Sequence, residues 1–456
     1  MRWNFADWFI ISQTLLPALL YLPGSQPFRV VIRLASYGIS VAVLVYYWVA
    51  LRPRLSRSTR PHPAVPWLAA CLIYLVLMVL HPTTNTYLAG IAQVGVYLSI
   101  LAPVFWAPAF VRSPAHLKRL LWLLLLCNGL NALVGVMQVH DPATWMPKEF
   151  STVIMNSEFG VASLAYAGAH GQMVIRPPGL GDAPGAVCSP AVFALYLGLV
   201  FAVTDRVWWK KFFAVAFATL GAAAIFLTLV RSSLLIAVGM IVVYILLQAV
   251  QGRPGRALAL IIVGGTAITV AFLHSTEIGG ENIVSRFHTI LEENPTDFYN
   301  ENRGNQVSKG FTTLLPEYPL GAGLGRWGMM RVYFGDEKNP ASTPIWAEIQ
   351  VPAWIVDGGI VLLTSYTLAI LVALRHAWQL ARTARDGRTR TLAAMILAVN
   401  VGMTAHCLSY PVFCSPIGMQ FWFLAGALQG IIGTRRRWQS SRPVSLPHPT
   451  MVALAG

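Results

Sequence analysis

Apolar runs of about 17 to 25 residues, separated by short basic or Gly/Pro-bearing turns, recur along the whole chain. Each is long enough to cross roughly 30 Å of hydrocarbon as a helix, which satisfies its own backbone hydrogen bonds where water is absent. The pattern predicts about twelve spans, near 6–22, 28–51, 66–81, 86–111, 118–138, 187–204, 212–230, 232–250, 257–273, 349–374, 391–411 and 416–433. The expected fold class is an all-α polytopic membrane protein forming a single integral domain over 1–456. Helices 1–9 fall in 1–273, with a polar loop at about 139–186. A large, partly helical loop over 274–348 joins helices 9 and 10, helices 10–12 fall in 349–433, and a basic tail covers 434–456. The opening run MRWNFADWFIISQTLLPALLYLP lacks a small-residue cleavage site before a soluble domain, so it reads as a first helix rather than a removed signal.

Composition agrees with this pattern, at 56% hydrophobic and 11% charged residues, against roughly 25% charged in a soluble domain. A net charge of +15 raises the question of nucleic acid, and its distribution answers it. The basic residues cluster in alternate turns: Arg52/Arg54/Arg57/Arg60, Arg112/Lys118/Arg119, Arg206/Lys210/Lys211, Arg253/Arg256, Arg375/Arg382/Arg385/Arg388/Arg390 and the tail Arg435/Arg436/Arg437. With both termini cytoplasmic this is the positive-inside pattern of a bacterial inner membrane, and it points to membrane lipids and not to nucleic acid as partner. Arg29 and Arg33, at the start of the second span, fall on the outer side and depart from the rule. The five cysteines and ten histidines show no metal-ligand spacing, and no metal or cofactor is expected. Cys407 and Cys414 lie close enough in sequence to meet, although membrane cysteines are more often small apolar packers.

The two large polar segments then face outward. The 274–348 loop holds more than half of the chain's 18 carboxylates: Glu277, Glu281, Glu292, Glu293, Asp297, Glu301, Glu317, Asp336 and Glu337, with Glu348 at its end. Within it, NRGNQVSKGFTTLLPEYP places Val307, Phe311, Leu314 and Leu315 on one helical face and ends at Pro316 and Pro319. The next stretch, PLGAGLGRWG, is glycine-rich but follows a helix and opens no Rossmann-type unit, which makes it a poor nucleotide site.

Arg231, in FLTLVRSSLLIAVGM between two apolar spans, is a costly residue at a membrane rim. The plainer reading is a snorkelling residue on a tight helical hairpin, and the functional one is a diphosphate clamp, since the guanidinium fork matches phosphate oxygens. Arg176, Arg286 and Arg303 add cations to the same expected face, each unremarkable alone. Glu348, where the loop re-enters the membrane, either complements a helix dipole or serves as general base. Asp357, nine residues on, would pair with a buried cation or a polar cavity, and His406 would line the same cavity or hydrogen-bond a neighbouring helix.

The order of RPPGLGDAPGA before a span, LVRSSLL opening a later one, SRFHT and NRGNQVSKGFTTLLPEYPLGAGLG in the loop, and a re-entering helix with DGGI resembles the O-antigen ligase and polysaccharide polymerase superfamily over about residues 170–365. The resemblance implies a metal-independent glycosyltransferase at the periplasmic face, acting on glycans carried by undecaprenyl diphosphate. It implies that Arg231 and Arg303 hold the donor diphosphate while a base at the loop-to-helix junction activates the acceptor hydroxyl, with inversion at the sugar carbon. Ligases of the family place His-Asn about eleven residues before Gly-Ile, where this chain has Glu348-Ile349 before Gly359-Ile360. Glu348 then becomes the expected base, with His406 or a loop carboxylate as substitutes. The missing histidine favours a polymerase of exopolysaccharide or O-antigen repeats over a ligase to lipid A core or protein. A chain-length regulator and a flippase are the expected partners. A transporter would show repeated halves and broken helices with midplane polar residues, and a scaffold would not need clustered arginines beside a carboxylate.

Overall fold

The computed structural model describes residues 3–22, 24–53, 61–148, 150, 164–292, 294, 297 and 299–440. Arg54, Arg57, Arg60, Glu293, residues 149 and 151–163 of the first polar segment and 441–456 of the tail lie outside the described residues, as do the side chains of Glu301, Arg435, Arg436 and Arg437.

The chain is all-α apart from one short antiparallel hairpin among the described residues, β1 (Ala165–Ala167) and β2 (Met173–Ile175). Among the described residues, eight helices are long and apolar enough to cross a membrane: α2 (Arg29–Leu51), α4 (Tyr87–Phe110), α5 (Pro114–His140), α7 (Trp208–Leu227), α8 (Arg231–Val250), α9 (Pro254–Gly279), α12 (Gln350–Thr383) and α13 (Gly387–Leu408). Four further apolar helices are shorter: α1 (Phe5–Tyr21), α3 (Val65–Met78), α6 (Cys188–Thr204) and α14 (Pro416–Ile432). The second polar segment includes the helices α10 (Glu281–Glu292) and α11 (Gly328–Phe334). Sequence placed the start of that segment at 274, whereas α9 runs on to Gly279 and stops at Gly280, whose φ of 58° turns the chain into α10.

Local chemistry sets several helix starts. Thr86, Ser113 and Asp386 each accept a hydrogen bond from a backbone N–H of the following first turn, and Pro114 occupies a position where no N–H is needed. Packing sets the rest. Helix α6 is apolar all round and buried along its length against α5 and α7, which makes it the centre of the bundle. By contrast α2 and α9 expose Val31, Val45, Val49, Leu258, Ile261 and Ile262. Apolar surface on that scale belongs against lipid, and the chain is a membrane protein.

Arg29 and Arg33 have a local explanation that charge sidedness could not supply. Arg29 Nε lies 3.1 Å from one oxygen of Asp182 and Arg33 Nη2 lies 2.6 Å from the other, with Arg33 Nη1 donating to the Tyr333 hydroxyl at 2.9 Å. Asp182 is the acid of the PPGLGDAPGA segment, a strap over 176–186 laid across the bundle end. Its backbone is read by side chains: Gln138 exchanges two hydrogen bonds with Gly179 at 2.7 and 2.8 Å, Asn131 Oδ1 accepts from Leu180 N at 3.0 Å, and the Tyr21 hydroxyl donates to the Gly179 carbonyl. Gly179 sits at φ 62°, and a Cβ there would run into Asn131 Oδ1. Removing the shared anion leaves two cations facing each other, one of them buried. Asp182→Ala is expected to cost about 2–3 kcal/mol, below the full penalty of a buried pair because Arg33 is partly exposed. Thermal unfolding of the detergent-purified protein checks this, and recovery in Asp182→Glu would tie the loss to charge.

Helix α12 is two helices joined at Gly358 and Gly359. At Gly359, φ is 56° and the Pro319 carbonyl packs where a Cβ would stand. Ile360 N donates to that carbonyl at 2.9 Å, and Ala322 N donates to the Val356 carbonyl at 2.7 Å, so the break is where the 318–327 turn docks. The glycine-rich PLGAGLG stretch packs on the start of α4: Leu324 O accepts from Asn85 N at 2.9 Å and Ala322 O accepts from the Thr83 hydroxyl at 2.7 Å. Its glycines serve this close approach of backbones.

Candidate functional site

The turn between α7 and α8 positions the first cation. Thr228 caps the end of α7 through its hydroxyl, which donates to Ile225 O at 2.7 Å. Leu229 then takes φ 57°, a left-handed conformation adopted by no other non-glycine among the described residues. Such a conformation costs on the order of 1–3 kcal/mol and persists only where the surroundings hold it. Here the Tyr166 hydroxyl of β1 donates to Leu227 O at 3.0 Å and Arg286 Nε donates to Leu229 O at 3.4 Å. The result is that Arg231 becomes the first residue of α8, buried, with its guanidinium donating to the Thr289 hydroxyl.

Helix α10 supplies the second cation. Ile283 and Phe287 turn inward, with Phe287 edge-on to Phe226 at 4.9 Å, and this leaves Arg286 and Thr289 beside the start of α8. The third cation, Arg176, follows β2 and opens the strap. Burial, and then the positive charge of Arg286, weaken the hold of Arg176 on its proton, which places the two guanidinium groups within electrostatic reach. No carboxylate pairs with Arg176 or Arg286 among the described residues.

Two helix N-termini converge on the same spot. Cys188, first residue of α6, donates from its thiol to the Thr228 hydroxyl at 3.1 Å, so the starts of α6 and α8 are neighbours. Each start carries the positive end of a helix dipole. Three arginines and two helix starts make a strongly anion-attracting corner.

The other sequence candidates have partners of their own. Arg303 forms an ion pair with Glu348, whose Oε2 also accepts from Gln306 Nε2 at 2.8 Å. The residues expected as clamp and base are thus in contact with each other. Asp357 was expected to face a cation or a polar cavity. It is instead fully buried, accepting from Trp327 Nε1 at 2.8 Å, the Tyr97 hydroxyl at 2.7 Å and Gln93 Nε2 at 3.0 Å. His406 is buried against Tyr410, their rings 5.2 Å apart, with Nδ1 3.4 Å from the Ser409 hydroxyl, both residues belonging to its own turn and not to a neighbouring helix. Cys407 and Cys414 are free thiols.

Sequence reasoning missed Thr289, Gln306, the hairpin that pins the α7–α8 turn, and the meeting of two helix starts. The faint signal was Ser-Ser after Arg231 and Cys-Ser-Pro at 188–190, both at span beginnings. A scan against known protein families finds no matching family, and comparison with characterised proteins finds no match.

Proposed function

We propose that the chain is a membrane glycosyltransferase of the polysaccharide polymerase kind, working on glycans linked to undecaprenyl diphosphate at the periplasmic face of a bacterial inner membrane. In this reading the four shorter apolar helices also span, giving twelve spans with both termini cytoplasmic. The observation that carries it is the anion-attracting corner formed by Arg176, Arg231, Arg286 and the starts of α6 and α8. A lipid diphosphate is the anion whose head group would lie at such a depth, at the end of a lipid-facing bundle. The acceptor hydroxyl oxygen bonds to the anomeric carbon, the bond from that carbon to the phosphate oxygen breaks, and its electron pair leaves with the diphosphate. Arginines there stabilise charge that grows on the leaving group. The hydroxyl proton passes to Glu348, which Arg303 and Gln306 orient.

Reconstitution with a lipid-diphosphate-linked repeat unit, with products resolved by gel, tests both parts. Wild type is expected to give a ladder and Glu348→Gln to lower its yield about 100-fold or more. Transfer appearing only when a lipid A core is added would replace polymerase by ligase. A ladder untouched by Glu348→Gln would remove Glu348 from the mechanism.

A further inference from the structure

Helices α5 and α9 both pack against α7, and their C-terminal ends bring two imidazoles together. His140 is the last residue of α5, and His274 stands five residues before the end of α9 at Gly279. Their Nε2 atoms face each other at 3.2 Å in an exposed contact, with 27° between the ring planes. The pair is 134 residues apart in the chain, a separation that no metal-spacing motif records. On His274 the other ring nitrogen, Nδ1, lies 3.9 Å from Glu277 Oε2, a charge contact that favours a proton on Nδ1 and leaves Nε2 its lone pair. His140 then donates from Nε2 to His274 in the metal-free state. Both helices end here, so the fixed partial charge of their carbonyls favours a cation, opposite in sign to the arginine corner.

We infer that His140 and His274 form a binding site for a divalent transition-metal ion of the zinc type, with two imidazole ligands and water in the remaining positions. Two nitrogens at about 2.0–2.1 Å from one ion and 3.2 Å from each other subtend about 100–105° at it, near the tetrahedral geometry that zinc adopts. The ion takes the place of the Nε2 proton of His140, which is released to water while Nδ1 of the same ring takes one up. Glu277 stands where an outer carboxylate orients a metal-bound histidine. Among the described residues no third His, Cys, Asp or Glu joins the pair as placed, which leaves the other positions to water. Magnesium and calcium are disfavoured, since these hard ions take oxygen ligands. The ion acts as a clip between helices that both serve the arginine corner. Helix α5 carries Asn131 and Gln138, which hold the strap, and α9 leads through Gly280 into α10 and Arg286. It takes no step in the proposed transfer, and the site stands whether or not that reaction does.

The test is calorimetric titration with zinc, and separately with magnesium, of the full-length protein in nanodiscs, purified without a polyhistidine tag and stripped with chelator. Thermal unfolding is read beside it. Wild type is expected to bind one equivalent of zinc and to melt at a higher temperature when saturated, because the ion binds the folded state. His140→Ala and His274→Ala should each lose both the equivalent and the rise in melting temperature. Both side chains are exposed, so each variant should match wild type in melting temperature when chelator is present. Glu277→Gln should weaken zinc binding about ten-fold, the usual effect of losing an outer-shell partner. Magnesium should give neither heat nor stabilisation. No zinc binding by wild type, an equivalent kept in both alanine variants, or an equal effect of magnesium would overturn the inference.

Discussion

Arg286→Ala is expected to lower glycan transfer from a lipid-diphosphate donor by about 100- to 1000-fold while the protein stays folded. The magnitude is that of removing one preorganised charge aimed at a leaving group, and the intact fold follows from its position. Arg286 lies on the exposed side of α10, and among the described residues its hydrogen bond is the long 3.4 Å contact to Leu229 O. Arg231→Ala would cost at least as much activity but also removes a buried first-turn residue, so Arg286 gives the cleaner result. Arg286→Lys should recover part of the loss, because charge returns without the two-pronged geometry. The same corner predicts donor KM rising with salt, since exposed charges are screened beyond about 10 Å at 0.1 M ionic strength. Initial rates on reconstituted protein read all three, and full activity in Arg286→Ala would remove the diphosphate corner from the mechanism.

The helical pattern was legible because an apolar run must become a helix where the backbone has no water to bond, a constraint that acts locally. Arg29 and Arg33 stood unexplained by the charge pattern because their counter-ion is Asp182, far away in sequence. That residue sat in the quoted strap motif, but nothing local says that its carboxylate faces back to α2. Arg231 was identifiable as costly, whereas its setting was not: the left-handed Leu229 and the Cys188–Thr228 contact are products of packing between α6, α7 and α8. Glu348 and Arg303 were both singled out, 45 residues apart, and assigned separate tasks, since spacing gives no hint that one neutralises the other. Asp357 shows the opposite failure. A carboxylate before two glycines looked like chemistry because its three donors come from α4 and from the 318–327 turn, which sequence does not place beside it.

Asp357→Ala is accordingly expected to act on stability before it acts on catalysis. The substitution orphans the Trp327 indole N–H, the Tyr97 hydroxyl and the Gln93 amide, all buried, at about 1–3 kcal/mol each. Partial relaxation and water entry reduce the sum, and a loss on the order of 3–5 kcal/mol is the expected outcome. It should be localised, because Asp357 closes the site where the 318–327 turn meets α4 and the break in α12. Limited proteolysis should therefore cut within 318–349 at mild conditions that leave wild type whole. Asp357→Asn keeps one acceptor oxygen and brings an N–H2 group toward donors, so it should fall between wild type and alanine. A catalytic role would separate the two readouts, with kcat collapsing in a protein of unchanged melting temperature and protease resistance. A structural role ties them, with kcat per folded molecule nearly preserved and yield and melting temperature falling together. The ordering of wild type, Asn and Ala in melting temperature, measured beside kcat per folded molecule, decides which of the two the buried carboxylate performs.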